Sequence, residues 1–182
     1  MPKSVRGTPR RGARLSAGIL RPGEIMSTEG HANVPVIPPV LFGAGLAAGL
    51  LLKWFVPVHL VPPSLEGPVC FAGFALALLG LAFGGWAFGT FLKARTTPHP
   101  NHPVSALVTW GPYRVSRNPM YVGVSAGMVG IALVVNTPWL LATLPFVWLA
   151  LGRLVIDREE TYLERKFGEE YRAFKARTRR WF

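Results

Sequence analysis

From Asn118 to Gly152 the sequence runs 35 residues without one charged side chain. Between Gly30 and Leu92 it carries only two, Lys53 and Glu66. Charged residues make up 16% of the chain, and acidic ones are the scarcer sort, nine against twenty basic. A soluble domain of this size scatters charge along its surface elements, so voids of this length exclude an ordinary water-exposed globule. Cysteine is reduced to Cys70, which excludes an intramolecular disulfide and leaves that residue a packing role. A basic face interleaved with base-stacking aromatics is also missing, so the net charge of +11 does not read as a nucleic-acid interface.

What is present is apolar length. Gly30–Leu52 and Gly67–Leu92 each supply the roughly 20 helical residues that a hydrocarbon core of about 30 Å requires. The 35-residue run is too long for one crossing, since it would extend about 52 Å at 1.5 Å per residue. It is broken by Asn136-Thr137-Pro138-Trp139, a helix stop followed by a proline able to open a new helix. Two short antiparallel spans, about 120–135 and 138–152, are therefore expected. The predicted fold is all-α and polytopic, with about four transmembrane helices of which the last two form a short hairpin.

The basic residues orient it. Six lie before residue 36, four between 93 and 117 and nine from Arg153 onward, against Lys53 alone in the 53–67 loop. With four spans, the three rich segments share one side, and the positive-inside rule makes that side cytoplasmic. Both termini are then cytoplasmic, and a bacterial cytoplasmic membrane is the expected location. The same charge also suits attraction to anionic lipid.

Residues 1–29 read as a disordered basic leader, rich in Arg, Gly and Pro and without the apolar core of a signal peptide. Met26 offers an alternative start immediately ahead of the first span, and both readings stay open. Residues 30–182 form the membrane domain. Its glycines at i, i+4 spacing (Gly45/Gly49, Gly80/Gly84, Gly85/Gly89, Gly123/Gly127) suit close helix packing in lipid. The C-terminal segment changes character. Ile156, Leu163, Phe167 and Phe174 fall near one helical stripe amid six carboxylates and nine basic residues. That predicts an amphipathic helix at the cytoplasmic face, bent near Gly168, with Trp181 and Phe182 anchoring its end in the interface.

Polar chemistry converges on that same side. In Ser116-Arg117-Asn118-Pro119 the proline can open the third span with Asn118 as its N-cap, and the free N–H groups there favour a carboxylate. Arg117 adds a fixed cation. Glu159 and Glu160 follow shortly after the fourth span, within reach of Arg117 if the last two spans pack side by side. A helix end, an arginine and a pair of carboxylates suit a zwitterionic cofactor such as a methionine-derived sulfonium. The plainer reading is an arginine snorkelling to lipid phosphate and two solvated glutamates. His99 and His102, flanked by prolines and with no third ligand in view, make no metal site, and none is expected elsewhere.

The stretch ALVTWGPYRVSRNPMYVG, followed after the hairpin by REETYLERKFGEEYRAFKARTRRW, resembles the isoprenylcysteine carboxyl methyltransferase and phospholipid methyltransferase superfamily. The resemblance spans roughly residues 89–182 and rests on several motifs in order. It implies an integral membrane methyltransferase that uses S-adenosylmethionine. It further implies that Leu107, Val108, Tyr113, Asn118, Pro119, Tyr121, Glu159 and Glu160 hold the cofactor, the Glu pair taking its amino group. Arg117 and Arg153 would neutralise carboxylates of cofactor or substrate. The family's histidine is Asn118 here, which cannot act as a base and inclines the reading toward an already ionised acceptor. The implied acceptor is lipid-like or a small amphiphile, an isoprenylcysteine carboxylate by the family's first name, with a phospholipid amine or small thiol as alternatives. A non-enzymatic membrane scaffold is the rival from another class, while a transporter would want ionisable groups inside the spans.

Overall fold

The structure, a computed structural model, describes residues 32–96 and 104–181. The expectations for the leader, for His99 and His102 and for Phe182 lie outside the described residues. Among the described residues there is no strand. The helices are α1 (Pro38–Phe55), α2 (Pro63–Lys93), α3 (Pro119–Val134), α4 (Trp139–Leu151), α5 (Asp157–Phe167) and α6 (Glu169–Arg177), with a 3-10 turn at Gly111–Arg114. Proline opens α1, α2 and α3, where its missing N–H costs no intrahelical bond.

Three helical segments are long and apolar enough to cross a membrane: Pro38–Phe55, Pro63–Lys93 and a continuous run from Trp139 to Phe167. The last continues past residue 152, where the fourth apolar span was expected to end. A π-helical turn at Gly152–Ile156 carries α4 directly into α5. α3 is apolar but has 16 residues, about 24 Å of helix, which is short of the hydrocarbon thickness. The side chains on the outside are those a lipid-facing surface uses, with Phe71 79% and Phe146 73% exposed. An apolar surface of that kind in water would be a strong association site.

Small residues set the packing. A Cβ added at Gly80 would lie 2.6 Å from the carbonyl oxygen of Gly123, and one at Gly130 would lie 2.6 Å from that of Gly73. α2 and α3 therefore touch backbone to backbone at two levels. Gly45 and Gly49 do the same service for α1 against Val147 and Leu140 of α4. Gly85, Gly89 and Gly127 face open space, so only part of the predicted small-residue pattern is used for packing between these helices.

The ends of the bundle are tied differently. At one end the turn after α3 is held by Asn136, in a left-handed conformation (φ 48°). Its Oδ1 accepts from the N–H groups of Leu60 and Val61 at 2.8 and 3.0 Å, and its Nδ2 donates to the Val61 carbonyl and to Glu66. At the other end the elbow 111–118 meets the chain's C-terminal residues. Ser116 Oγ and Asn118 Nδ2 both donate to the Arg180 carbonyl, and Arg117 N–H donates to that of Arg179.

The C-terminal helices also correct the expected orientation of their apolar stripe. Ile156, Leu163 and Phe174 turn inward and line a cavity under the elbow. Gly168, at φ 52°, makes the break between α5 and α6 that lets the stripe fold back. Trp181 stacks on Trp148 at 5.4 Å between ring centroids. It packs against protein there, where a membrane-interface anchor was expected.

Candidate active site

The elbow is built from the bottom by Gly111, whose φ of 64° lets the chain turn close over Thr90 of α2. The turn drops Tyr113 against Phe91, edge to face at 5.3 Å. Pro119 is buried and starts α3, which places Tyr121 one turn in, with its hydroxyl donating to Glu159 Oε1 of α5 at 3.4 Å. Asn118 stands at the cap position but makes no capping bond with its side chain. Its amide holds the C-terminal tail, and its own N–H finds Ser116 Oγ at 3.1 Å.

Glu160 is 6% exposed and fully committed. Arg117 Nη2 lies 3.0 Å from its Oε1, and Arg180 reaches both oxygens, at 3.2 and 2.8 Å. Arg180 also pairs with Asp157 at 3.0 Å. Arg117 further donates to the carbonyls of Lys175 and Thr178. Glu160 thus serves as the keystone that locks elbow, α5 and tail together, and its carboxylate is occupied by arginines. Of the glutamate pair, only Glu159 has a carboxylate that no arginine or lysine occupies among the described residues. Burial pushes the Glu159 carboxyl up to about 7, its bond from Tyr121 pulls the other way, and the nearby Glu160 adds to the rise. Glu159 lies beyond Ile156, where the apolar part of this helix ends.

Two polar atoms at this site are buried without a partner among the described residues, the Tyr113 hydroxyl and Arg117 Nε. Burial, reinforced by the Glu159 charge, raises the Tyr113 phenol well above its ordinary value, so it stays a proton donor. Burial together with Glu160 does the same to Tyr171. The cavity between these groups has about 100 Å³ of accessible volume and opens at a mouth.

Of the residues expected from sequence, Leu107, Val108, Tyr113, Arg117, Asn118, Tyr121, Glu159 and Glu160 all line this one cavity. Pro119 supports it from beneath. Arg153 does not reach it. It is exposed, because six residues before Glu159 a helical side chain points to a different face. Sequence reasoning missed Arg180, Phe91, Tyr162 and Tyr171. A compositional signal for the last two existed: the chain has four tyrosines, 113, 121, 162 and 171, and all four line this cavity.

A phospholipid methyltransferase family model matches residues 69–170, more than half of the chain. The chain belongs to that family. Membership places it in the superfamily of the isoprenylcysteine carboxyl and phospholipid methyltransferases and points to a membrane methyltransferase. The match takes in the elbow, both glutamates and all of α3, α4 and α5, so most of the cavity lining lies within it, while Ala32, Tyr171 and Phe174 lie outside. A protein of Haemophilus influenzae (strain ATCC 51907 / DSM 11121 / KW20 / Rd), described as uncharacterized, is 58% identical over 33 residues, 18% of this chain and 52% of that protein. The chain thus spans about half the length of the curated relative it matches.

Proposed function

We propose that this family member transfers a methyl group from S-adenosylmethionine to a lipid-like or small amphiphilic acceptor, in the cavity beneath the elbow. One observation carries the reading. Four tyrosines line one cavity with a half-buried carboxylate, Glu159, that no arginine or lysine neutralises among the described residues. Electron-rich rings and an uncommitted anion select a cationic ligand. S-adenosylmethionine, when bound, supplies an electrophilic methyl carbon on a sulfonium. The residues present fit it: Glu159 for the ammonium, the aromatic rings for the sulfonium and adenine, and the orphan donors Tyr113 Oη and Arg117 Nε for the carboxylate. Walls from Leu107, Val108 and Met120 exclude water, and fixed side chains align the reactants.

The same accounting bears on the acceptor. With Arg117 and Arg180 spent on Glu160 and the orphan donors given to the cofactor, a second carboxylate finds no unpartnered donor there. A small thiolate, which needs no base, therefore fits better than the isoprenylcysteine carboxylate named by the resemblance, whereas a phospholipid amine would have to arrive deprotonated. In the bilayer we read four spans, α3 crossing with local thinning or tilt of its neighbours. The elbow and tail face the cytoplasm, where the basic residues lie. The cofactor then enters from water, and an apolar acceptor from the membrane side.

Calorimetry on purified protein in lipid tests the reading. Saturable binding of S-adenosylmethionine and S-adenosylhomocysteine is expected, and Glu159→Gln should weaken it at least about tenfold. Transfer of labelled methyl is then sought to phosphatidylethanolamine and to a prenylated thiol-derived carboxylate in parallel. Well-folded protein that binds neither ligand would overturn the proposal in favour of a scaffold.

A further inference from the structure

The geometry points to a second binding site, for the headgroup of a zwitterionic phospholipid, at the end of the bundle remote from the elbow. It rests on the membrane reading and not on methyl transfer. The two charged side chains found between Gly30 and Leu92, Lys53 and Glu66, line a single cavity there. Lys53 ends α1 and Glu66 opens α2, so the connecting loop brings opposite charges to one rim. The cavity is an open one of about 460 Å³, and His59, Cys70 and Asn136 share its wall.

The charges sit together without pairing. Lys53 donates to the Val135 carbonyl at the end of α3, and Glu66 accepts from Asn136 at 2.9 Å. Neither has an ion-pair partner among the described residues. Packing alone does not call for them. The Asn136 amide also bonds the backbone of Leu60 and Val61, and an uncharged residue would cap α3 at less cost in a membrane. An ammonium and a carboxylate held apart on one rim match a ligand bearing a phosphate and an ammonium of its own. Lys53 and His59 would take the phosphate, and Glu66 the ammonium.

The surroundings favour a lipid over a soluble zwitterion. The inner wall is apolar, formed by Leu133, Val134 and Cys70. Gly67 leaves open space beside it. One residue on from Cys70, the lipid-facing side of α2 begins with Phe71 and Phe74, 79% and 56% exposed, where acyl chains would run. Glu66 disfavours an anionic lipid, and no three-ligand cluster for a metal exists among the described residues.

The test is native mass spectrometry of the full chain released from nanodiscs that contain phosphatidylethanolamine or phosphatidylcholine mixed with phosphatidylglycerol. One zwitterionic lipid per chain should be retained, with about tenfold preference over the anionic lipid. Glu66→Gln keeps an oxygen for Asn136 and removes only the charge, so it should bring that preference close to unity. Lys53→Met should lower retention at least about fivefold, and Lys53→Arg should restore it. Retention of phosphatidylglycerol as good as that of the zwitterionic lipids would overturn the site, as would retention unchanged in Glu66→Gln. Displacement by soluble phosphoethanolamine at micromolar concentration would replace the lipid with a soluble occupant. Glu159→Gln should keep the lipid, and Glu66→Gln should keep S-adenosylhomocysteine binding, so failure of one site is read separately from failure of the other.

Discussion

Lowering the pH from 7.5 to 5.5 should weaken S-adenosylhomocysteine binding by about 25-fold, and Glu159 is the reason. Burial raises this carboxyl to about 7, so it is mostly neutral at the lower pH and mostly ionised at the higher. A ligand ammonium that needs the carboxylate must displace the proton, and the apparent Kd scales as one plus the ratio of proton concentration to the acid constant. That ratio is about 30 at pH 5.5 and about 0.3 at pH 7.5, which yields the stated factor. The ligand's amino group stays charged over this range, and no histidine lines the cavity among the described residues. Calorimetry in two buffers of different ionisation enthalpy should also detect release of close to one proton per ligand at pH 6. Glu159→Gln should bind weakly with a flat profile. A flat profile in the unsubstituted protein, or tighter binding as pH falls, would refute the assignment of Glu159 to the ammonium. Stability of the unliganded protein moves the other way. A raised folded-state pKa means the folded form holds a proton that the unfolded form has lost. Stability from this group is thus fully present below about 4.5, falls as pH rises, and levels off above about 7.

The keystone makes a graded prediction. Arg117→Ala, which takes the buried arginine from Glu160 and leaves two backbone carbonyls without their donor, should cost about 2–4 kcal/mol in a mixed-micelle unfolding titration. Arg180→Ala, with a partly exposed side chain, should cost only about 1–2 kcal/mol, and equal costs would mean that the tail holds Glu160. Gly130→Ala drives a methyl group into the Gly73 carbonyl and should cost about 1–3 kcal/mol, whereas Gly85→Ala meets nothing and should be neutral or slightly stabilising in the same assay. Asn136→Ala should cost about 2–3 kcal/mol, since it removes the side chain bonds to Leu60 and Val61 from a left-handed position.

Which residues meet at the elbow was largely legible from sequence, because a helix-opening proline, an arginine and a glutamate pair are local signals with local physics. Helix class was legible for the same reason: uncharged runs and their proline starts need no partner to be recognised. The span count was less so, since α3 is short and its fit to a bilayer depends on its neighbours. The i, i+4 glycines looked alike in sequence, yet Gly80 meets Gly123 while Gly85 meets nothing. Their roles depend on the rotation of one helix against another, which no local pattern encodes.

Sequence by itself determined that the chain is helical and apolar, where α3 and α4 begin, and that arginine and glutamate gather on the basic side; α1 and α2 begin at Pro38 and Pro63, eight residues after and four before the starts of their apolar runs. Only the tertiary structure decided how those charges are shared. It spends Glu160 on Arg117 and Arg180 and leaves Glu159 with only the Tyr121 hydroxyl bond, although the two glutamates are neighbours in the chain. Adjacent residues on a helix point about 100° apart, so one faces the returning tail and the other the tyrosines. The apolar stripe of the C-terminal helices likewise turned toward the cavity and not toward lipid. A stripe records only that a face is buried. The break at Gly168 and the tail's bonds to the elbow determine what buries it.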